Sequence, residues 1–262
     1  MTYETLTFDV ADGVATITLN RPEAVNAMNR TMMLDLFAVA QRCDADDAIR
    51  AVVMTGSGKM FCAGGDLKDF AAQGDDMPAY ITELATYLHA AVTRFQRMDA
   101  PLVIAVNGMA AGGGLSLVAS GDVVMASEDA AFTCAYTNAG ITPDGSSTYF
   151  LAKHVGLLRA KELVLTNRRL SAQEALDWGL VTRVLPGDQL LAEARALAAQ
   201  LAAGPTKAYG GAKRLLLSAY SGTLETQLED ESASITKQVK DHDGREGIEA
   251  FAARRKPEFK GR

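Results

Sequence analysis

An uncharged run near the middle of the chain constrains the fold more than any other feature. Residues 100 to 121, APLVIAVNGMAAGGGLSLVASG, contain no Asp, Glu, Lys or Arg and are long enough to cross a bilayer. However, Asn107 and four clustered glycines lie at the centre of the run, and its first part is rich in β-branched residues. We therefore interpret it as a buried strand, a tight glycine turn and a buried helix.

The bulk composition argues against several kinds of partner. The chain has 262 residues, with 26 Lys and Arg against 32 Asp and Glu, and its pI is near 5.2. This balance argues against a basic nucleic-acid surface and against attraction to anionic lipid. Three scattered cysteines without C-x-x-C spacing argue against a disulfide framework or a metal site. Because no secretory signal is visible, we expect a cytoplasmic protein that binds no metal, nucleic acid or membrane.

Strand patterns dominate the first part of the chain and helical patterns the second. The run YETLTFDVADGVATITLNRP predicts a hairpin around a central Asp-Gly pair. Further buried strands are predicted over IRAVVMTGSG, APLVIAVNG and DVVMAS, and an amphipathic helix over residues 78 to 98. We predict one α/β core over residues 1–195, followed by a helical C-terminal region over residues 196–262.

Two segments share the order of buried strand, glycine-rich turn and helix start. They are AVVMTGSGKMFCAGGDL, residues 51 to 67, and LVIAVNGMAAGGGLSL, residues 102 to 117. Glycines let a ligand approach the backbone, and a helix N-terminus presents free N–H groups. Two such loops can direct two N–H donors at one developing negative oxygen, which is an oxyanion hole. Glycine clusters serve tight turns and helix–strand packing more often than catalysis, so each loop alone is weak evidence.

Several motifs in fixed order resemble the crotonase (enoyl-CoA hydratase/isomerase) superfamily over essentially the whole chain. They are LNRPEAVNAMN, FCAGGDL, NGMAAGGGLSL, GLLRAKELVLTNRRLSAQEALDWGLVTRVLP and GIEAFAARRKPEFKG. The resemblance implies an α/β fold, a crotonase-type spiral of ββα units with a helical C-terminal trimerisation region. It also implies a homotrimer or a dimer of trimers. The implied substrate is an acyl-coenzyme A thioester, so that coenzyme A enters as part of the substrate and no cofactor is bound permanently.

The resemblance also implies site residues. The oxyanion-hole N–H groups fall on Gly65 and Gly113. Positions that contact coenzyme A fall on Ala24, Val25, Ala63, Gly65, Asp66, Leu67, Gly113, Phe251 and Arg254. The contacts at Phe251 and Arg254 are often completed between subunits. The alternatives are a solvated charge for Arg254 and a role for Asp66 in capping its own loop.

The segment GITPDGSSTYFLAKHVG, residues 140 to 156, decides which reaction the resemblance implies. Hydratases of the family use two glutamates, and their positions are Ser116 and Tyr136 in this chain. Neither replacement is a competent general base near neutral pH. Asp144 matches the catalytic aspartate of some isomerases, although Pro-Asp-Gly is also typical of a plain turn. Because one carboxylate can remove a proton and return it elsewhere, we expect an enoyl-CoA double-bond isomerase with Asp144 as acid and base.

Several alternatives stay open. Asp144 also matches the nucleophile of the 4-chlorobenzoyl-CoA dehalogenase-like branch, in which His89 corresponds to a histidine base and Tyr136 to a tryptophan. Tyr136 is a candidate for bonding the substrate or shaping the acyl pocket, with simple packing as the alternative. The rival functions are an atypical hydratase, an aspartate-nucleophile dehalogenase or thioesterase, and a non-catalytic acyl-CoA-binding subunit. A serine hydrolase using Ser116 and His89 is disfavoured because the G-x-S-x-G pattern is missing.

Overall fold

The computed structural model describes residues 2–262. Its strands are β1 (Leu6–Ala11), β2 (Val14–Leu19), β3 (Ala51–Gly56), β4 (Met60–Cys62), β5 (Leu102–Val106), β6 (Met109–Ala111), β7 (Val123–Ser127), β8 (Ala131–Thr133), β9 (Leu170–Ser171) and β10 (Arg183–Leu185). Its helices are α1 (Arg30–Ala45), α2 (Leu67–Ala71), α3 (Met77–Arg97), α4 (Gly113–Ala119), α5 (Ser147–His154), α6 (Leu157–Thr166), α7 (Ala172–Asp177), α8 (Gly187–Ala202), α9 (Thr206–Ser218), α10 (Leu224–Gln238) and α11 (His242–Ala252).

The β1–β2 hairpin begins a six-stranded sheet in the order β1-β2-β3-β5-β7-β10. β1 and β2 are antiparallel, and every other neighbouring pair in this sheet is parallel. The turn residues Asp12 and Gly13 have φ values of 50° and 77°, which is the left-handed backbone that a tight hairpin requires. The predicted hairpin is therefore confirmed.

A second sheet has four short strands in the order β4-β6-β8-β9. The pairs β3–β4, β5–β6 and β7–β8 each place one strand in the first sheet and the next strand in the second. Helices follow each pair: α2 and α3 after the first, α4 after the second, and α5 and α6 after the third. The chain therefore winds as a spiral of ββα units, and this prediction is confirmed.

The six-stranded sheet is buried on both faces. In β3, Val52 and Met54 face the large core that includes α1 and α3, whereas Ala51 and Val53 pack with residues of α8. All residues of β5 and α4 are buried, so the predicted buried strand and buried helix are confirmed. The segment between them, predicted as a tight turn, also contains the short strand β6. Among residues 2–262, no helix has the length and apolar character needed to span a bilayer.

The predicted division at residue 195 lies within α8. Leu190 and Ala198, on either side of that point, pack in the same cluster against the sheet. Because one continuous helix covers the sheet, we place the start of the helical C-terminal region after α8, at the Gly204–Pro205 turn. The two-part organisation itself stays a prediction.

A buried lysine attaches the C-terminal region to the core. The Nζ atom of Lys213, in α9, lies 2.7 Å from Asp122 Oδ2 and donates to the backbone oxygens of Phe95 and Ala100. The same Asp122 oxygen accepts the Leu102 N–H at 2.7 Å. Lys213 therefore links α9 to the end of α3 and to the start of β5.

We expect Lys213→Met to lower the free energy of unfolding by about 3 kcal/mol, because it leaves the largely buried Asp122 carboxylate without its cation. Urea denaturation at one fixed protein concentration measures this loss. The control is Arg214→Met on the same helix, whose partner Asp99 is half-exposed. That variant should lose less than about 1 kcal/mol. Equal losses for the two variants would contradict the anchoring role of Lys213.

Candidate active site

A cavity of about 530 Å³ opens between α3 and the two glycine-rich loops. Its walls are mostly apolar, and Asp144 is the one charged side chain among the described residues that line it. An apolar pocket with a few converging polar groups is the usual form of a small-molecule site. The apolar side chains in its wall include Met28, Met33, Leu67, Phe70, Ile81, Leu84, Leu88 and Ile141.

The two glycine-rich loops touch each other at the cavity. A Cβ atom on Gly64 would lie 3.1 Å from the Gly113 nitrogen, and Gly64 has a φ of 91°. A Cβ atom on Gly114 would lie 2.4 Å from the backbone oxygen of Cys62. Only glycine permits such close approach of two backbones. Burial raises the pKa of the Cys62 thiol to about 12, so it is not a thiolate nucleophile at neutral pH.

The backbone N–H groups of Gly65 and Gly113 are unpaired within residues 2–262. Gly113 is the first residue of α4, and its amide therefore has no partner inside the helix. The Met28 N–H donates to Gly64 O at 2.7 Å, and the Asp66 N–H donates to Met28 O at 3.0 Å. These bonds hold the residues on both sides of Gly65 and leave its own amide free. Because Gly65 and Gly113 both line the cavity, the two donors suit one oxyanion.

Asp144 is part of a hydrogen-bonded group with Tyr136 and Ser116. The Tyr136 hydroxyl donates to Asp144 Oδ1 at 2.8 Å, and Ser116 Oγ lies 2.9 Å from that hydroxyl and 2.9 Å from Asp144 O. Burial, together with the adjacent Asp144, raises the pKa of Tyr136, which stays a neutral donor. Ser116 and Tyr136 occupy the positions of the two hydratase glutamates, and both are hydrogen-bonded to Asp144. Asp144 is the carboxylate predicted to replace those glutamates.

His89 is a neighbour of Asp144 but is not one of the residues that line the cavity. Its Nε2 atom accepts the Gly145 N–H at 3.2 Å and lies 3.6 Å from Asp144 Oδ2. The His89 side chain is 52% exposed. The structure therefore brings His89 next to the predicted catalytic carboxylate, as a half-exposed side chain that does not line the cavity.

The residues predicted to contact coenzyme A near the two loops also lie together. The Ala63 N–H donates to Val25 O at 3.1 Å, and Ala63 and Leu67 line the cavity. Val25 has a φ of 51°, an uncommon backbone for a β-branched residue, and such strain is frequent at ligand sites. Ala24 precedes it in the same segment.

Asp66 is engaged within the protein itself. Its carboxylate caps α2 by accepting the Asp69 N–H at 3.3 Å, and it lies 3.2 Å from the guanidinium of Arg21. Asp66 therefore caps its own loop, and its contact with coenzyme A stays a prediction. Arg21 carries no signal of this role in the sequence apart from its place in the LNRP motif.

Phe251 and Arg254 do not line the cavity of their own chain. Phe251 is 88% exposed on α11, and Arg254 follows the end of that helix. A contact from a neighbouring subunit stays a prediction for both. Met28, Met33 and Phe70 also line the cavity, although their loop and helix patterns in the sequence carry no sign that they meet there.

Comparisons with known proteins agree with this geometry. A family model described as enoyl-CoA hydratase/isomerase matches residues 9–262. The solved structure of an enoyl-CoA hydratase from Bacillus anthracis superposes with a TM-score of 0.92 at 31% identity, covering 99% of this chain and 100% of that chain.

Similar sequences carry three different names. The chain is 37% identical over 262 residues to a Rhodobacter capsulatus protein named "Probable enoyl-CoA hydratase", covering 100% of each. It is 37% identical over 254 residues to the 1,2-epoxyphenylacetyl-CoA isomerase of Escherichia coli, covering 97% of each. It is 36% identical over 229 residues to the 4-chlorobenzoyl coenzyme A dehalogenase-2 of Arthrobacter sp, covering 87% of this chain and 83% of that protein.

The contact between Gly65 and the Phe70 ring gives a test of the loop packing. A Cβ atom on Gly65 would lie 2.6 Å from Phe70 Cζ. We expect Gly65→Ala to lower the free energy of unfolding by about 2 kcal/mol through overpacking. Adding Phe70→Leu should restore part of that loss, because it removes the clashing ring. Urea denaturation of both single variants and the double variant measures the coupling, and strictly additive losses would contradict this contact.

Proposed function

The chain belongs to the enoyl-CoA hydratase/isomerase family of enzymes, which act on CoA thioesters, and we propose that it is an enoyl-CoA double-bond isomerase. In this proposal Asp144 is both the acid and the base. One observation carries it: among the described lining residues, the cavity has a single carboxylate, and two unpaired backbone amides line the same space. One base and one oxyanion hole are what a proton shift requires.

The oxyanion hole would stabilise the enolate. The thioester oxygen would lie between the N–H groups of Gly65 and Gly113, where negative charge develops as the proton leaves. Preorganised donors in an apolar cavity are worth more than donors in water, and each contributes about 3 kcal/mol of transition-state stabilisation. The apolar wall, including Phe70 and Leu88, would exclude water around the acyl group.

Asp144 would move the proton. Its carboxylate takes a proton from one carbon of the acyl group, and the electron pair of that C–H bond forms a C=C bond while the carbonyl π pair moves onto the thioester oxygen. When the new O–H group of Asp144 returns the proton, the π pair at a second carbon forms the new C–H bond and the thioester carbonyl forms again. The Tyr136 hydroxyl bonds Oδ1 and orients the carboxylate, which leaves Oδ2 for transfer. Tyr136 keeps its proton during this step, because burial raises its pKa.

The site favours isomerisation over hydration. Addition of water needs groups that bind and activate a water molecule beside the double bond. Here Ser116 and Tyr136 bond each other and Asp144, and no second carboxylate is among the described lining residues. Relatives named as a hydratase and as an isomerase are equally similar in sequence, so this preference rests on the site alone.

An aspartate-nucleophile dehalogenase or thioesterase is the second candidate. The position of His89, with Nε2 3.6 Å from Asp144 Oδ2, favours it, since a histidine there would suit activation of water against an acylated aspartate. A covalent aspartyl adduct trapped by rapid quenching and detected by mass spectrometry would support this candidate against the isomerase.

We propose that coenzyme A lies across the loop segments that carry Ala24, Val25, Ala63 and Leu67. Phe251 and Arg254 of an adjacent subunit would complete its site in a homotrimer or a dimer of trimers. Exposed apolar side chains on α10 and α11 suit such association; they include Leu224, Leu228, Ile235, Ile248 and Phe251. Sedimentation equilibrium would distinguish trimer from hexamer, and a monomer would contradict the shared site.

We expect Asp144→Asn to lower kcat for isomerisation by about 10³-fold, because the amide cannot accept the substrate proton. Affinity for the acyl-CoA should change little, since the two backbone donors remain. The measurements are turnover across a panel of unsaturated acyl-CoA thioesters and calorimetric binding of a saturated one.

The matched control for this variant is Asp69→Asn. Asp69 also accepts a hydrogen bond from a tyrosine hydroxyl, that of Tyr80, but it is not one of the residues that line the cavity. Turnover of this control should stay within about threefold of the wild type. Retained activity in Asp144→Asn would refute the role of Asp144, and binding without turnover in the wild type would favour a non-catalytic acyl-CoA-binding subunit.

A further inference from the structure

We propose that the acyl group of the substrate is uncharged and apolar, and that the cavity excludes acyl-CoA thioesters whose acyl group ends in a carboxylate. This proposal rests on one part of the proposed function, namely that the cavity holds the acyl group of a CoA thioester. It adds the chemical class of that group, which neither the fold nor the oxyanion hole determines.

One face of helix α3 forms an apolar wall of the cavity. Four lining residues have the i, i+3, i+4, i+7 spacing of a single helical face: Ile81, Leu84, Ala85 and Leu88. Because their side chains offer no hydrogen bond to a polar acyl group, this face favours a hydrocarbon group that leaves water when it binds.

The polar groups of the wall supply no cation. Among the described lining residues, the polar side chains are those of Tyr136, Thr142 and Asp144. The Tyr136 hydroxyl donates to Asp144, and Thr142 is exposed. In the proposed reaction the free N–H groups of Gly65 and Gly113 hold the thioester oxygen. The described wall therefore has no positively charged group with which a second anion could pair.

Basic side chains in the neighbouring segments are directed elsewhere. Arg30, at the start of α1, is exposed, and its Nε atom donates to Glu83 at 3.1 Å. Lys68 is exposed on α2. The Nε2 atom of His89 accepts the Gly145 N–H and so carries no proton. Because these three side chains are not among the residues that line the cavity, an acyl carboxylate there would have no counter-ion from them.

Two effects would destabilise an acyl carboxylate in this cavity. Moving an ionised carboxylate from water into apolar surroundings without a partner is unfavourable. In the proposed mechanism Asp144 is ionised when the substrate binds, and two like charges in a space of low dielectric constant repel each other. Both effects act on the charge alone, so an uncharged acyl group of the same length avoids them.

The test uses three acyl-CoA probes that share a β,γ-unsaturated six-carbon chain. They are hexenoyl-CoA, the same thioester with a carboxylate in place of the terminal methyl group, and the methyl ester of that carboxylate. We expect wild-type kcat/KM to be about 100-fold lower for the carboxylate probe than for hexenoyl-CoA. The methyl ester should recover most of this loss, because it removes the charge without shortening the chain.

Two results with these probes would overturn the proposal. One is an equal kcat/KM for the carboxylate probe and for hexenoyl-CoA. The other is a methyl ester that reacts as poorly as the carboxylate probe, since the size of the acyl group and not its charge would then determine the preference.

The variant Ile141→Arg tests the same idea by adding a cation. Ile141 lines the cavity and is 40% exposed, so an arginine there can direct its guanidinium at the acyl group while its stem stays partly in water. We expect the ratio of kcat/KM for the carboxylate probe to that for hexenoyl-CoA to rise about tenfold, because the cation pairs with the carboxylate.

The matched control is Leu158→Arg, which adds the same charge at an 82% exposed position of α6 that does not line the cavity. Its ratio should stay within about twofold of the wild-type ratio. An unchanged ratio in Ile141→Arg, or an equal rise in both variants, would contradict selection by charge in the cavity.

Binding of saturated probes separates this proposal from the isomerase function. For the wild type, we expect calorimetry to give a dissociation constant about tenfold lower for hexanoyl-CoA than for its counterpart with a terminal carboxylate. This preference without isomerisation of any probe would support selection by charge and refute the isomerase. Equal affinities together with isomerisation of hexenoyl-CoA would refute selection by charge and leave the isomerase intact. Binding of neither thioester would overturn both.

Discussion

The close contact between two backbone loops is the constraint on which the rest of the site depends. Gly64 lies against Gly113, and Gly114 lies against Cys62, at distances that no side chain would permit. This contact joins the ends of β4 and β6 in the second sheet, and it places the start of α4 at the cavity. The two free amides have separate causes: the bonds of Gly64 and Asp66 with Met28 leave that of Gly65 unpaired, and the start of α4 leaves that of Gly113 unpaired. The loop contact brings these two amides to one cavity, and the proposed oxyanion hole depends on it.

Those side chains come from distant parts of the chain, and each is held by a different means. Asp144 is in a turn whose backbone oxygen lies next to Ser116 on α4, while its carboxylate bonds Tyr136. Helix α3 supplies both apolar wall residues and His89, so one helix face borders the cavity and its edge faces solvent. The result is a carboxylate with a fixed orientation in an otherwise uncharged space. Such an arrangement can transfer a proton while offering little help to an attacking water molecule.

Local patterns predicted the fold well, because they follow from burial and from backbone geometry. The alternation around Asp12 and Gly13 required a hairpin, and the uncharged run required a buried strand and a buried helix. The short strand β6 between those two elements was not predicted. The resemblance to a known family added the order of the ββα units. The predicted end of the core at residue 195 falls inside α8, because a continuous amphipathic helix has no internal mark in its sequence.

The site was predictable only in part. The two glycine-rich loops and Asp144 carried chemical signals, and the structure brings them together. Arg21 and Phe70 carried none, because their importance arises from contacts with Asp66 and Gly65 that are made only in the folded chain. A hydrogen-bonded group such as Ser116, Tyr136 and Asp144 likewise depends on side-chain directions that spacing along the sequence does not specify. The contacts predicted for Phe251 and Arg254 would come from a neighbouring subunit, and both residues lie outside the cavity of their own chain.

The burial of β5 on both faces has a consequence for synthesis of the chain. Its neighbours in the sheet are β3, which precedes it by about fifty residues, and β7, which follows it. Until residues 123–127 have left the ribosome, β5 lacks one of its two neighbouring strands and stays partly exposed. An exposed apolar segment of this kind is prone to aggregate with the same segment of other nascent chains. We expect the nascent chain to need protection during this interval. The segment that forms the centre of the folded protein would then be the one most prone to aggregation before the spiral is complete.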